Sequence, residues 1–120
     1  MTYNVYKILT PEEWNAAKEN GKVITELDQN DGFVHLSTSS QLGLTLSLYF
    51  RDHKKVALLQ VDTNMIEDKL IFEESISKGD RAGLFPHIYG ELSIEHITKS
   101  WFLERGAFIL PDEVLAQCEN

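Results

Sequence analysis

The chain has 120 residues, 42% of them hydrophobic, which fits one folded domain with an ordinary core and argues against a disordered chain. Its formal net charge of −8 argues against bulk nucleic-acid binding, which needs lysines and arginines to displace phosphate counterions. One cysteine, Cys118, allows neither an intramolecular disulfide nor a zinc knuckle. The N-terminus lacks the apolar run and cleavage site of a signal peptide, and no apolar stretch approaches a membrane span. A cytoplasmic enzyme or binding protein is expected, as a monomer or weak homodimer.

Residues 3–9 predict a first strand, with Tyr3, Val5 and Lys7 on one face and Tyr6 and Ile8 nearer the other. Thr10, Pro11 and Glu13 predict a capped helix whose buried stripe is Trp14, Ala17 and Lys18, and Gly21 stops it. Residues 22–27 predict a short strand, and Asp31-Gly32 a hairpin turn leading into the strand FVHLS. Leu42, Leu44, Leu46 and Leu48 alternate like a strand. Thr38 and Gln41 nevertheless form a capping box, and leucine favours helices, so a helix over residues 39–50 is expected, with Leu42, Leu46, Tyr49 and Phe50 as its stripe. Residues 55–61 predict a well-covered central strand and 70–72 a further one ended by Glu73 and Glu74. Residues 75–84 predict a polar loop before FPHIYG. Weaker apolar segments follow at 92–97, 101–103 and 107–110, and Pro111-Asp112 opens a short terminal helix. No repeat or linker divides the chain, so residues 1–120 are taken as a single domain.

Two segments carry the residue types that bind ligands. In DGFVHLS, period two puts Phe33, His35 and Ser37 on one face and Val34 and Leu36 on the other. A neutral imidazole at His35 can orient a ligand hydroxyl and Ser37 can add a second contact; the alternative is a core histidine bonded to a carbonyl. In FPHIYG, Phe85, His87 and Tyr89 likewise share a face, giving an aromatic wall with two polar tips; the alternative is an amphipathic edge strand. Together they predict one cleft with convergent polar groups. Glu73 or Glu74 could supply a carboxylate to stabilise positive charge or act as a base, although either could equally be a solvated side chain. Lys78 and Arg81 could meet a phosphate, although a solvated charged loop is the favoured account. His53 and His96 lack comparable context and are expected at the surface. No metal site is expected, since no local ligand spacing joins His35, His87 and a glutamate. Phosphate-binding loops and serine-nucleophile motifs are absent from the sequence.

The order Tyr6-Lys7-Ile8, Trp14, Asp28, DGFVHLS with Gln41, Glu73 and FPHIYG resembles the small bacterial domain-of-unknown-function 952 family. The resemblance runs from about residue 3 to 97, with 99–120 as a C-terminal extension. It implies an α+β protein with a compact ADP-ribosyltransferase-like fold: a bent, mixed or antiparallel β structure with one or two packed helices. It implies NAD, or another nucleotide, as ligand. His35 and Ser37 match an H-x-[ST] pattern that holds the nicotinamide-side ribose in the wider superfamily. Leu36 stands where that superfamily usually has glycine. Tyr89 is the candidate for stacking on nicotinamide, with Phe85 beside it. Glu73 is the candidate carboxylate, and His87 could contact a phosphate or the acceptor.

The resemblance thus implies an ADP-ribosyltransferase- or glycohydrolase-like enzyme with His35 and Glu73 as catalytic residues. A non-catalytic nucleotide- or small-ligand-binding module on the same fold is the alternative. An RNA 2′-phosphate-processing enzyme ranks last, because only Arg51, Arg81 and Arg105 could line its cleft.

Overall fold

Thr10 and Glu13 start the first helix where their capping box predicts. In the computed structural model, which describes residues 4–74, 84–104 and 114, the Thr10 amide donates to Glu13 Oε1 at 2.9 Å and the Glu13 amide to Thr10 Oγ1 at 3.1 Å. Helix α1 (Pro11–Asn20) follows strand β1 (Val5–Leu9) and closes on Gly21. Trp14 and Ala17 are buried, but Lys18 is exposed and lays its ammonium over the Trp14 ring instead of joining the stripe.

The next segment departs from expectation. Strand β2 is only Lys22–Val23, and Glu26–Asp31 forms helix α2. Thr25 caps it by accepting from the Asp28 amide at 3.1 Å. Gly32 ends it at φ 83°, donating its amide to the Asp28 carbonyl. The Asp-Gly pair is therefore a left-handed helix terminus rather than a hairpin turn, since both need a residue that tolerates positive φ.

FVHLS keeps its alternation but changes partner midway. Strand β3 (Val34–His35) pairs with β7 (Leu84–Ile88), whereas β4 (Ser37–Thr38) pairs with β1. Leu36 sits at the crossing and donates its amide to the Pro86 carbonyl at 3.0 Å. A 3-10 turn (Ser39–Gln41) then leads into α3 (Leu42–Tyr49), so the helical reading of the leucine-rich segment holds. Leu42 and Leu46 are buried and Phe50 packs beside them, while Tyr49 is exposed.

Strand β5 (Lys55–Val61) is central, with β1 on one side and β9 (Ile97–Glu104) on the other. The four-stranded sheet runs β4-β1-β5-β9. A second sheet runs β3-β7-β6, with β6 spanning Leu70–Glu74, so Glu73 and Glu74 belong to the strand. Strands β2 and β8 (Leu92–Ser93) make a two-stranded ribbon. Every pairing among the described residues is antiparallel. Helix α4 (Thr63–Ile66) and a 3-10 turn fill the connection before β6. The α+β class therefore holds, with α2 and α4 added to the two longer helices α1 and α3. Expected features at 75–83, 107–110 and 111–112 lie outside the described residues, as do Lys78, Arg81, Arg105 and Cys118.

Period two on β1 and β5 gives the large sheet an apolar core on each face. Val5, Leu9, Ala57, Leu59 and Val61 face one core, shared with Trp14, Ile66, Val34, Leu36 and Ile88. Tyr6, Ile8, Val56 and Leu58 face the other, with Leu42, Leu46, Leu103 and Val114. Each fully buried Leu or Val contributes about 1.5–3 kcal/mol of transfer free energy. The three-stranded sheet thus packs one face, carrying Val34, Leu36 and Ile88, on the first core; Leu70 and Phe72 pack there too. Its other face is left to the histidines.

His96 is not a surface residue. It is 8% exposed, and its Nδ1 accepts from the Ser93 amide at 3.0 Å, closing the turn between β8 and β9. His53 is half-buried; its Nδ1 is buried without a hydrogen-bond partner among the described residues, and its ring lies 5.2 Å from that of Phe50.

A candidate ligand site on the histidine face

Register brings the two motifs together. His35 lies directly across from His87 in the β3–β7 pair, and Ile71 lies across from His87 on the other side. Because Val34 and Ile88 point into the core, Phe33, His35, Phe85, His87 and Tyr89 share the opposite face, and Glu73, opposite Phe85, joins them.

Phe33 is the hub of this face. Its ring stacks on His87 at 4.2 Å between centroids, and lies 4.6 Å from His35 and 5.3 Å from Tyr89. The two imidazoles are 5.4 Å apart, edge to face. Phe85 is fully buried.

Glu73 is held by two donors on one oxygen. His87 Nδ1 lies 2.8 Å from Oε1, and the Tyr89 hydroxyl donates to the same atom in a short contact. The Tyr89 hydrogen bond, then that of His87, lowers the Glu73 pKa below the usual carboxylate value, and the same bond raises that of Tyr89. Oε2 of Glu73 has no partner among the described residues.

His35 is anchored more deeply. Its Nδ1 donates to Asp28 Oδ1 at 2.7 Å, and its backbone amide donates to the same oxygen at 3.0 Å. Asp28 Oδ2 takes the Lys7 ammonium at 2.7 Å, and Lys7 also donates to the His35 carbonyl at 3.0 Å. Both members of this ion pair are buried, with side chains 6% exposed. The outer nitrogen of His35, Nε2, faces Asp31 Oδ2 at 2.9 Å. A chain of four ionisable side chains, Lys7–Asp28–His35–Asp31, therefore runs from β1 to the last turn of α2.

Burial by itself would push the Asp28 carboxyl up. Hydrogen bonds from His35, with the charge and hydrogen bond of Lys7, outweigh it and hold the pKa at about 2 against an ordinary 3.8. A carboxyl whose pKa falls on folding stabilises the fold above the unfolded value and loses that contribution as pH falls through the folded one. Stability should therefore drop by about 2 kcal/mol between roughly pH 4 and pH 2 on account of Asp28 alone. Urea unfolding across that range, compared between wild type and Asp28→Asn, measures it; equal slopes in the two proteins would refute the assignment.

Ser37 parts from the group. As β4 joins the large sheet, its hydroxyl meets Thr45 Oγ1 on α3 at 2.8 Å. Thr45 spends its own proton on the Gln41 carbonyl at 3.2 Å, so Ser37 is the donor in that pair. His35 and Ser37 still line one small cavity of about 70 Å³, with Lys7, Thr45 and Tyr49. A larger cleft, about 230 Å³, lies between α2 and the β2–β8 ribbon, lined among others by Thr25, Asp28, Phe33 and Leu92. Gly32 and Gly90, one from each motif, also border it. His87 and Tyr89 line neither space.

Lys7, Asp28 and Asp31 entered the sequence reading through the family order, and none of them was expected there as a site residue. Among the described residues no cluster of three or more His, Cys, Asp or Glu has an arrangement that could hold a metal ion. Arg51 is the one described arginine and is exposed.

The chain matches the model of the family described as "Protein of unknown function (DUF952)" over residues 8–100. It belongs to that family. The match includes every residue of the histidine face and of the charge chain except Lys7, and it ends inside β9. The X-ray structure of protein CC0527 from Caulobacter crescentus is similar, at 32% identity and TM-score 0.80, covering 93% of this chain and 98% of that one. Its solution NMR structure matches at 30% identity and TM-score 0.75, covering 98% of each chain. No curated protein matches. Among the described residues no helix is long and apolar enough to cross a membrane.

Proposed function

We propose that this family member binds a nicotinamide dinucleotide, or a related nucleotide, on the histidine face and cleaves its N-glycosidic bond, as a glycohydrolase or ADP-ribosyl transferase. The observation that carries this reading is Glu73: a half-buried carboxylate on the same sheet face as His35, fixed through Oε1 by His87 and Tyr89, with Oε2 left for a ligand. Breaking a bond between ribose and a pyridinium nitrogen develops oxocarbenium-like charge on the sugar. A preorganised carboxylate stabilises that charge more than the ground state, which is the condition for catalysis. Hydrogen bonds from Tyr89 and His87 favour the ionised form that this role needs. His35, oriented by Asp28, supplies a donor for a ribose hydroxyl. Phe33, Phe85 and Tyr89 give the face its aromatic character.

The reading of a non-catalytic binding module on the same fold has its own observation. Both nitrogens of His35 and the Tyr89 hydroxyl are already bonded within the protein, as suits a recognition surface.

Calorimetric titration with NAD, followed by a nicotinamide-release assay, separates the two. Glu73→Gln should keep NAD affinity within a few-fold and lower release on the order of 100-fold. His35→Ala should weaken binding. No binding at millimolar NAD would sink the dinucleotide reading, and binding without turnover that ignores Glu73→Gln would favour the module.

A further inference from the structure

We propose that Asp31 and His35 form an acceptor–donor pair that opens to take a sugar hydroxyl between them, which makes Asp31 a ligand-binding residue. This rests on the glycosyl-transfer reading above and names the groups that would grip the ribose. Nδ1 of His35 is committed to Asp28, so Nε2 is the one ring nitrogen a ligand can reach. Asp31 Oδ2 stands 2.9 Å in front of it. A ligand that uses Nε2 must therefore displace Asp31 or enter between the two atoms.

Chemistry decides what can enter. A carboxylate oxygen can only accept, so a hydrogen bond at 2.9 Å has its proton on Nε2; that N–H needs an acceptor, the Asp31 carboxylate needs a donor, and a hydroxyl is both. A phosphate or carboxylate would satisfy Nε2 but confront Asp31, with Asp28 on the far side of the ring and Glu73 on the same sheet face. An amine would satisfy Asp31 but meet the ring N–H. Insertion of a hydroxyl leaves the charge of the Lys7–Asp28–His35–Asp31 chain unchanged. It requires only that the pair part to admit two hydrogen bonds of roughly 2.8 Å each.

The structure permits that movement on one side only. Asp28 is locked by Lys7, the Thr25 cap and two His35 contacts. Asp31 is the last residue of α2, its side chain is 25% exposed, and His35 is its sole side-chain partner among the described residues. Opening the pair thus means turning one partly exposed carboxylate while the imidazole stays in place.

The test uses two probes on the full chain. D-Ribose is titrated while the His35 Nε2 signal is followed by long-range proton–nitrogen NMR, and NAD affinity is measured by calorimetry. Wild type, Asp31→Asn and Asp31→Ala are compared, with thermal midpoints as a check of folding. Ribose should shift the Nε2 signal in wild type and leave it unmoved in Asp31→Ala. NAD affinity should fall roughly 10- to 100-fold in Asp31→Ala, and less in Asp31→Asn, which keeps an acceptor oxygen. An Nε2 signal that ignores ribose in wild type, or responds equally in Asp31→Ala, overturns the pair. So does NAD binding that is unchanged or tighter in Asp31→Ala, the result expected if Asp31 merely blocks the nitrogen. A ribose response that depends on Asp31, without NAD binding, keeps the pair and discards the dinucleotide.

Discussion

Asp28→Ala is expected to destabilise the protein by about 3–5 kcal/mol, because it leaves a buried ammonium without its counter-charge. The Lys7 side chain is 6% exposed, and Asp28 is the carboxylate that compensates it. The same substitution strands the His35 ring N–H and backbone N–H, which share Oδ1. For a chain of this length the thermal midpoint should fall by roughly 10–20 °C. Asp28→Asn, which keeps one acceptor oxygen, should cost less. Removing both charges in a Lys7→Met, Asp28→Leu double variant should recover part of the loss, since two apolar side chains avoid the desolvation that a lone ammonium suffers. Urea denaturation of the four proteins measures these differences. A cost below about 1 kcal/mol for Asp28→Ala would mean that Lys7 reaches water, and the picture of a buried chain would fail.

Phe33→Ala should cost about as much, 3–5 kcal/mol, for a different reason. Phe33 is 9% exposed and its ring contacts three others, those of His35, His87 and Tyr89. Deleting it opens a void among these rings that the edge contact between His35 and His87 does not fill. Phe33→Leu keeps most of the apolar volume and should lose less than half as much. The two variants also separate packing from recognition: a Phe33→Leu protein that is nearly as stable as wild type but binds NAD poorly would show that the ring itself orients the imidazoles. If Phe33→Ala unfolds at the wild-type urea midpoint, the face is not a packed unit.

The parts of this fold that were legible in the sequence are those fixed by neighbouring residues. Thr10, Pro11 and Glu13 settle α1 among themselves, and Gly21 closes it. The apolar run at 55–61 marks the central strand because no polar face is left to expose. Helix α2 was hidden because its signal was shared: Asp31-Gly32 serves a hairpin or a left-handed cap equally well, and the deciding contact is the Thr25 hydroxyl three residues before Asp28. His96 was misplaced for a similar reason, since its role is a local bond to Ser93 that composition does not reveal. The same-face triplets were correct about alternation. They could not show that Ser37 would leave for another sheet, because alternation says nothing about which strand lies alongside. Lys7 and Asp28 are 21 positions apart, and only the packing of α2 beneath β1 brings them together.

The change of partner at Leu36 ties the site to the rest of the molecule. Across four residues, 34 to 37, the backbone is bonded first to β7 of the small sheet and then to β1 of the large one. Lys7 adds a second tie, reaching from β1 to the carbonyl of His35. The imidazole is thus mounted on a seam rather than on a loop. Sliding one sheet against the other would strain the seam before it could move the ring, so the imidazole resists shear. A protein built this way keeps the His35 ring stiff at the centre, and the hydroxyl insertion proposed above would draw its give from the Asp31 carboxylate at the rim.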